Sequence, residues 1–318
     1  MKKTILLLKN IAFAASLVLL FTACKKDANP KALDNTQKKT IAELVKMSPQ
    51  HSFLYAAVVK AGLASTLSGD GTFTVFAPTD DAFKAAGFPD VKSVQDAPAD
   101  VLQGILLYHV LGTVVKSENV QGANALPVKT LADKDFYVSG KDGKVWINNA
   151  SVTAKDLLAK NGVIHVIDKV LLPPSKNLVE LAQSNPELST LVAAVLKLGE
   201  PTVTTLASGG PFTVMAPNNQ AFNNLLQALN FENLAAVPNS ALATILTYHL
   251  IPGRVFSYNL TEGLMPATVQ GEKVTFTLSG GAKVKGISNA TPSNIIGVDI
   301  LGTNGVVHVI DQVLIPTL

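Results

Sequence analysis

The chain has 318 residues, 47% of them hydrophobic and 15% charged, which is too apolar for a disordered protein and long enough for about two domains. Its formal net charge is +3, but the first 23 residues carry Lys2, Lys3 and Lys9 and no acid, which leaves 23 basic against 23 acidic side chains in the rest. Without a basic stripe to displace counterions, no nucleic-acid partner is expected.

In chain order, Lys2 and Lys3 precede an apolar run over 11–21, too short for a bilayer span of about 20 residues. The run leads into Phe21-Thr22-Ala23-Cys24, which resembles the lipobox of bacterial lipoproteins, although leucine is usual where Phe21 stands. That resemblance implies a signal peptide over 1–23 and acylation of Cys24, the only cysteine of the chain. Acyl chains contribute about 0.8 kcal/mol per buried CH₂, so several anchor stably. Residues 24–36 are polar and lack apolar periodicity, and read as a flexible tether. The expected address is the cell envelope, lipid-anchored in the outer membrane.

From residue 37 the pattern becomes periodic. Ser48-Pro49 reads as an N-cap followed by proline at the first helical position, and Leu54, Ala57, Val58 and Ala61 recur at helical spacing. Residues 73–76 are β-rich and run to Pro78, after which Thr79 is placed to cap a short helix carrying Phe83. Pro98 opens a helix with Val101, Leu102, Ile105 and Leu106 on one face. The stretches 136–139 and 144–148 bracket Gly140-Lys141-Asp142-Gly143, a hairpin signal. Residues 163–167 and 170–172 are expected as buried strands. Helices come early and strands late, which predicts an α+β domain.

The same blocks then recur. GTFTVFAPTDDAF at 71–83 matches GPFTVMAPNNQAF at 210–222, Tyr108-His109 matches Tyr248-His249, and NGVIHVIDKVLLP at 161–173 matches NGVVHVIDQVLIP at 304–316. The offset stays near about 140 residues, far longer than a solenoid repeat, so each copy is expected to be a domain: 37–173 and 174–318, joined at Pro173-Pro174-Ser175.

These blocks resemble the fasciclin domain family, whose signatures are an F-T-V-F-A-P-T-like strand and turn, a Tyr-His pair, and an N-G-x-x-H-x-I-D strand. The resemblance covers nearly everything after the tether. The second copy departs from the first at Met215, Asn218 and Asn219, where the first has Phe76, Thr79 and Asp80. It implies, in each copy, a β-sandwich-like wedge with packed helices, and it implies extracellular adhesion. In animal matrix relatives partner binding is assigned to the Tyr-His region and to a short Asp-Ile/Leu segment. The matching positions are Tyr108, His109, Asp156 and Leu157 in the first copy and Tyr248, His249, Asp299 and Ile300 in the second.

His165 and Asp168, and their counterparts His308 and Asp311, read as structural signature residues. Three apart on a strand, the histidine and aspartate point to opposite faces, which argues against a shared metal. If the aspartate's face is interior, its carboxylate needs donors, expected near Thr74–Thr79, whereas Asp156 is expected in an exposed loop. No metal and no cofactor is expected. Nor is enzymatic activity, because the chain lacks a G-x-S-x-G elbow, a P-loop and a dinucleotide fingerprint. The sequon-like Asn149-Ala150-Ser151 and Asn289-Ala290-Thr291 read as turns. The expected function is adhesion to a surface protein or glycan through tandem domains; the alternative is an envelope scaffold lipoprotein without direct adhesion.

Overall fold

The computed structural model describes residues 38–317. The expected signal peptide, Cys24 and the expected tether lie outside the described residues. Among those described, no helix is long and apolar enough to cross a membrane.

The first unit opens with α1 (Ile41–Met47), a helix that the apolar spacing did not announce. Thr40 caps it in a reciprocal box with Glu43, whose carboxylate accepts the Thr40 N–H at 2.7 Å, the arrangement that satisfies two otherwise orphaned donors. Then follow α2 (Ser52–Lys60), α3 (Ala64–Ser68), β1 (Phe73–Pro78), α4 (Asp80–Ala85), α5 (Val91–Asp96) and α6 (Ala99–Tyr108). Thr79 caps α4, as expected. Ser48 does not cap α2. The cap position is His51, and Ser48 Oγ instead sits 2.7 Å from His51 Nδ1. Along α6, Leu102 and Leu106 are buried, but Val101 turns out to solvent, because it lies one residue, or about 100° of helix, off that stripe.

The chain next forms β2 (Val110–Leu111), β3 (Leu126–Lys129), β4 (Asp135–Lys141), β5 (Lys144–Ile147), β6 (Ala150–Ala159) and β7 (Gly162–Ile167). The β4–β5 hairpin turns at Asp142 and Gly143, with φ of 52° and 74°, the paired left-handed residues of a type I′ turn. The seven strands lie in the order β2-β1-β7-β6-β5-β4-β3, with β1 and β7 parallel and the other pairs antiparallel. Residues 170–172 are not a strand. Leu171 is held by its N–H, which donates to His109 Nε2 at 2.8 Å.

The parallel pair β1–β7 divides the interior. Side chains alternate across a strand, so Val75, Ala77 and Ile164 face a core built with the helices, while Phe76 and Ile167 face a second core inside the curled sheet with Tyr108, Phe136 and Ile147. Burial on both faces is why the signature strands are almost continuously apolar.

The second unit repeats the plan with α7 (Leu178–Gln183), α8 (Ser189–Leu198), α9 (Glu200–Ser208), β8 (Phe212–Pro217), α10 (Asn219–Ala228), α11 (Asn239–Tyr248), β9 (Leu250–Pro252), β10 (Thr275–Thr277), β11 (Lys283–Lys285), β12 (Ser293–Gly302) and β13 (Gly305–Ile310). Its sheet runs β10-β11-β12-β13-β8-β9. It too has a helix-side core and a sheet-side core, and none of the four cores mixes residues of the two units.

The units touch through aromatic side chains. Trp146 on β5 stacks on Tyr258 with centroids 4.9 Å apart and planes 10° from parallel. Tyr258 stacks in turn on Phe256 at 5.4 Å. The Arg254 guanidinium lies 4.2 Å from the centre of the Tyr137 ring on β4, within cation–π range, and its Nη2 donates to the Thr303 carbonyl at 2.8 Å.

Candidate functional site

Tyr108 and His109 end α6, and both are buried. The tyrosine hydroxyl donates to the Asp135 carbonyl at 2.9 Å and accepts from Asn148 Nδ2 at 3.1 Å. His109 Nδ1 lies 2.8 Å from the Ile105 carbonyl, while Nε2 accepts the Leu171 N–H. One ring nitrogen must donate and the other accept, which requires the neutral imidazole. Burial pushes the His109 pKa down to about 4. The second copy repeats this: Tyr248 donates to Lys273 O at 2.7 Å, His249 faces Ile245 O and accepts from Leu314 N–H, each at 2.8 Å, and burial lowers its pKa to about 4. The Tyr-His pairs therefore tie a helix end to the sheet and to the closing segment. As contact residues they are corrected: interior side chains cannot meet a partner without opening the domain.

Asp156, expected in an exposed loop, and its counterpart Asp299 sit instead within the long strands β6 and β12, where the register with β7 and β13 shifts at a bulge. Asp156 and Asp299 have φ of 60° and 59°, a left-handed conformation that aspartate tolerates better than most residues. The Asp299 carboxylate accepts from Ser257 N at 2.7 Å and from Ser257 Oγ at 2.6 Å. Asp156 accepts from the backbone N–H of Ser117 at 2.8 Å and from its hydroxyl. Behind each bulge stands the signature histidine: the Asp156 N–H donates to His165 Nδ1 at 3.2 Å and His165 Nε2 lies 2.9 Å from the Val115 carbonyl. Asp299 and His308 repeat the pair, with His308 Nε2 2.8 Å from Val255 O. Burial pushes the His165 and His308 pKa values below the usual range. Burial also pushes the Asp156 carboxyl up, but the two Ser117 hydrogen bonds outweigh it and leave the group below its ordinary pKa.

Asp168 and Asp311 lie just beyond the strand ends. Asp168 is exposed and accepts the Ser151 N–H at 2.7 Å. Asp311 accepts from Ser293 Oγ, Asn294 N and Asn294 Nδ2 at 2.9, 2.8 and 2.6 Å. Both clamp the neighbouring long strand. Their donors come from β6 and β12 rather than from the Thr74–Thr79 turn, because that turn is reached by backbone alone, through Thr79 N–H to Ile167 O.

A model of the fasciclin domain matches residues 49–173 and again 186–316. The chain belongs to the fasciclin domain family. It is 29% identical over 254 residues to the transforming growth factor-beta-induced protein ig-h3 of Sus scrofa, covering 80% of this chain and 36% of that one; this chain thus spans about a third of that relative's length. It is 27% identical over 159 residues to the cell surface glycolipoprotein MPB83 of Mycobacterium bovis, covering 48% of this chain and 70% of MPB83. The solved FAS1 domain pair of the insect cell adhesion molecule fasciclin I aligns over 86% of this chain and 95% of its own, at 20% identity and a TM-score of 0.40. Fasciclin domains are associated with cell-adhesion and cell-surface proteins.

In this fasciclin pair, the N-G of each closing signature has a role that sequence reasoning missed. Asn161 accepts the Ile41 N–H at 2.9 Å and donates to Leu67 O and Gly69 O at 2.9 and 3.0 Å, pinning α1 and α3 to the head of β7. Asn304 makes the same three bonds to Leu178, Leu206 and Gly209. The following glycine admits the neighbouring strand: a Cβ on Gly162 would lie 1.9 Å from the Phe73 carbonyl oxygen. The serines that hold the bulged aspartates were also missed, although S-x-N recurs at 117–119 and 257–259.

What these two fasciclin domains leave to solvent differs between them. Leu157 is 45% exposed, and Ile300 is half-buried against the helix-side core. On the outward face of β12, Ile296 and Val298 are 57% and 45% exposed. Counting back from the bulged aspartates, the first domain has Thr153 and Lys155 at these places. Among the described residues, no group of three or more His, Cys, Asp or Glu is gathered to hold a metal.

Proposed function

We propose that this protein is a lipid-anchored adhesion protein of the cell envelope, and that it holds a surface protein or glycan through the outward face of β12 in the second domain. The observation that carries this reading is the pair Ile296 and Val298, two residues apart on one face and both largely exposed. The polar signature residues nearby are spent on internal hydrogen bonds, so the neighbouring surface, not the signature itself, is left to make contact. Exposed aliphatics at adjacent same-face positions of a strand mark contact surfaces better than scattered ones. Acylation at Cys24 supplies the anchor, in keeping with a relative whose name describes a cell surface glycolipoprotein.

The test is retention of cells displaying the chain on surfaces coated with matrix proteins or arrayed glycans. Wild-type cells should be retained on at least one coating, and cells displaying Ile296→Ser/Val298→Ser should detach. Equal retention of the two, or no retention on any coating, overturns the reading. Cys24→Ala should move the protein out of the membrane fraction, and continued membrane association in high salt overturns the anchor.

A further inference from the structure

The second domain contains a cavity of about 270 Å³ between its helices and β8; the corresponding space in the first domain is about 20 Å³. Four lining positions contribute to the difference. Val45, Leu107, Leu131 and Ile164 of the first domain are replaced at the matching places by Ala182, Thr247, Val269 and Val307, each smaller, and all four replacements border the cavity. The correspondence is fixed by the shared frame: Leu131 N–H and Val269 N–H each donate to the first residue of the strand after α6 or α11, at Val110 O and Leu250 O. In addition, α9 (Glu200–Ser208) has nine residues where α3 (Ala64–Ser68) has five. The space opens to solvent, since Val214 on β8 is half-buried where its counterpart Val75 is buried.

We propose that this cavity is a binding site for one linear alkyl chain. Its volume is nearly twice the roughly 150 Å³ of an apolar cavity that takes up benzene, and sits just below the ~300 Å³ where ordinary ligand pockets begin. No charged side chain lines it. Of its polar side chains, Thr205 and Thr247 donate to the Pro201 and Ala243 carbonyls at 2.7 and 2.8 Å, and both His249 nitrogens are engaged. Only the Thr202 hydroxyl, half-buried, is left to meet a ligand. A wall this poor in directional groups selects by shape and apolar area. Its side chains are overwhelmingly aliphatic, with Phe212 the one phenyl ring, which suits a flexible chain rather than a stacked aromatic ligand. The exposed Leu196 and Val269 on its wall extend the apolar path to solvent, where a polar head stays hydrated.

The experiment uses the full chain carrying Cys24→Ala, so that no anchor contributes, and titrates decanoate by calorimetry. One decanoate should bind per chain. The variant Ala182→Val/Thr247→Leu/Val269→Leu/Val307→Ile, which restores the first domain's larger side chains at these four places, should bind at least tenfold more weakly and melt at the same temperature or higher. Should that variant fail to fold, Thr247→Leu alone must still weaken binding. Co-sedimentation with phosphatidylcholine vesicles separates the sources of the chain. Vesicle binding lost in the variant assigns the site to membrane lipid, and decanoate binding without vesicle binding assigns it to free fatty acids. Absence of decanoate binding, or equal binding by the folded variant, overturns the proposal.

Discussion

Replacing Asp299 by alanine tests whether the bulged aspartate belongs to the fold. The carboxylate is 6% exposed and accepts two hydrogen bonds from Ser257. Alanine leaves the N–H and hydroxyl of half-buried Ser257 without this acceptor. Hydrogen bonds to a charged group contribute about 1.5–3 kcal/mol each, but the two share one acceptor group and do not add fully, so about 3 kcal/mol is the expected loss. Alanine must also hold a φ of 59°, which costs about 1 kcal/mol more. Asp299→Gly removes that backbone cost and keeps the hydrogen-bond loss, so it should be about 1 kcal/mol more stable than Asp299→Ala. Asp299→Asn keeps acceptor and conformation, and should lose the least. Urea unfolding of the full chain followed by far-UV circular dichroism reads all three, with the second domain's transition shifted. A midpoint for Asp299→Ala within about 0.5 kcal/mol of wild type would show that the Ser257 bonds hold nothing together.

Three further outcomes follow from the same geometry. His109 and His249 titrate near 4 in the fold against an ordinary 6.5, so the unfolded chain takes up protons first as pH falls; stability is full above about 6.5, down by about 2 kcal/mol per domain at pH 5, and down by about 3 by pH 4, and equal urea midpoints at pH 7 and pH 5 would contradict this. Asn161→Ala frees α1 and α3 from β7, and should destabilise the first domain by about 3 kcal/mol while raising amide exchange in those helices; unchanged exchange there refutes the pinning role. Tyr258→Ala removes the ring stacked on Trp146, the chain's only tryptophan, and should red-shift its emission while both unfolding transitions persist; an unshifted spectrum would place Trp146 elsewhere.

The architecture was legible where chemistry is local. Thr79 as a cap, a hairpin turn within 140–143 and a buried strand over 163–167 each depend on neighbours within a few residues; the structure has all three, with the turn narrowed to Asp142-Gly143 because β4 runs on through Lys141. The duplication was legible because both copies retain the residues that join distant elements. What escaped was the direction of those residues. Asp156 reads as a loop residue, yet a bulge turns its carboxylate to a serine 39 positions away. Tyr108 and His109 are marked for partner contact by the family resemblance alone, and their own partners at Asp135, Asn148 and Leu171 arrive only when the sheet curls over them. The candidate contact surface has no signal in the sequence alone: the exposure of Ile296 and Val298 depends on which face of β12 turns outward.

The most direct test of this account compares Tyr248→Phe with Ile296→Ser/Val298→Ser in the cell-retention assay, normalised to folded protein at the surface. Tyr248→Phe removes the hydroxyl that ties Lys273 O and Ile287 N–H; it should lower the melting temperature and leave retention per folded molecule unchanged. The β12 pair should leave the melting temperature unchanged and abolish retention. The opposite pattern, with retention lost in Tyr248→Phe and kept in the β12 pair, would return partner binding to the signature tyrosine and contradict the account.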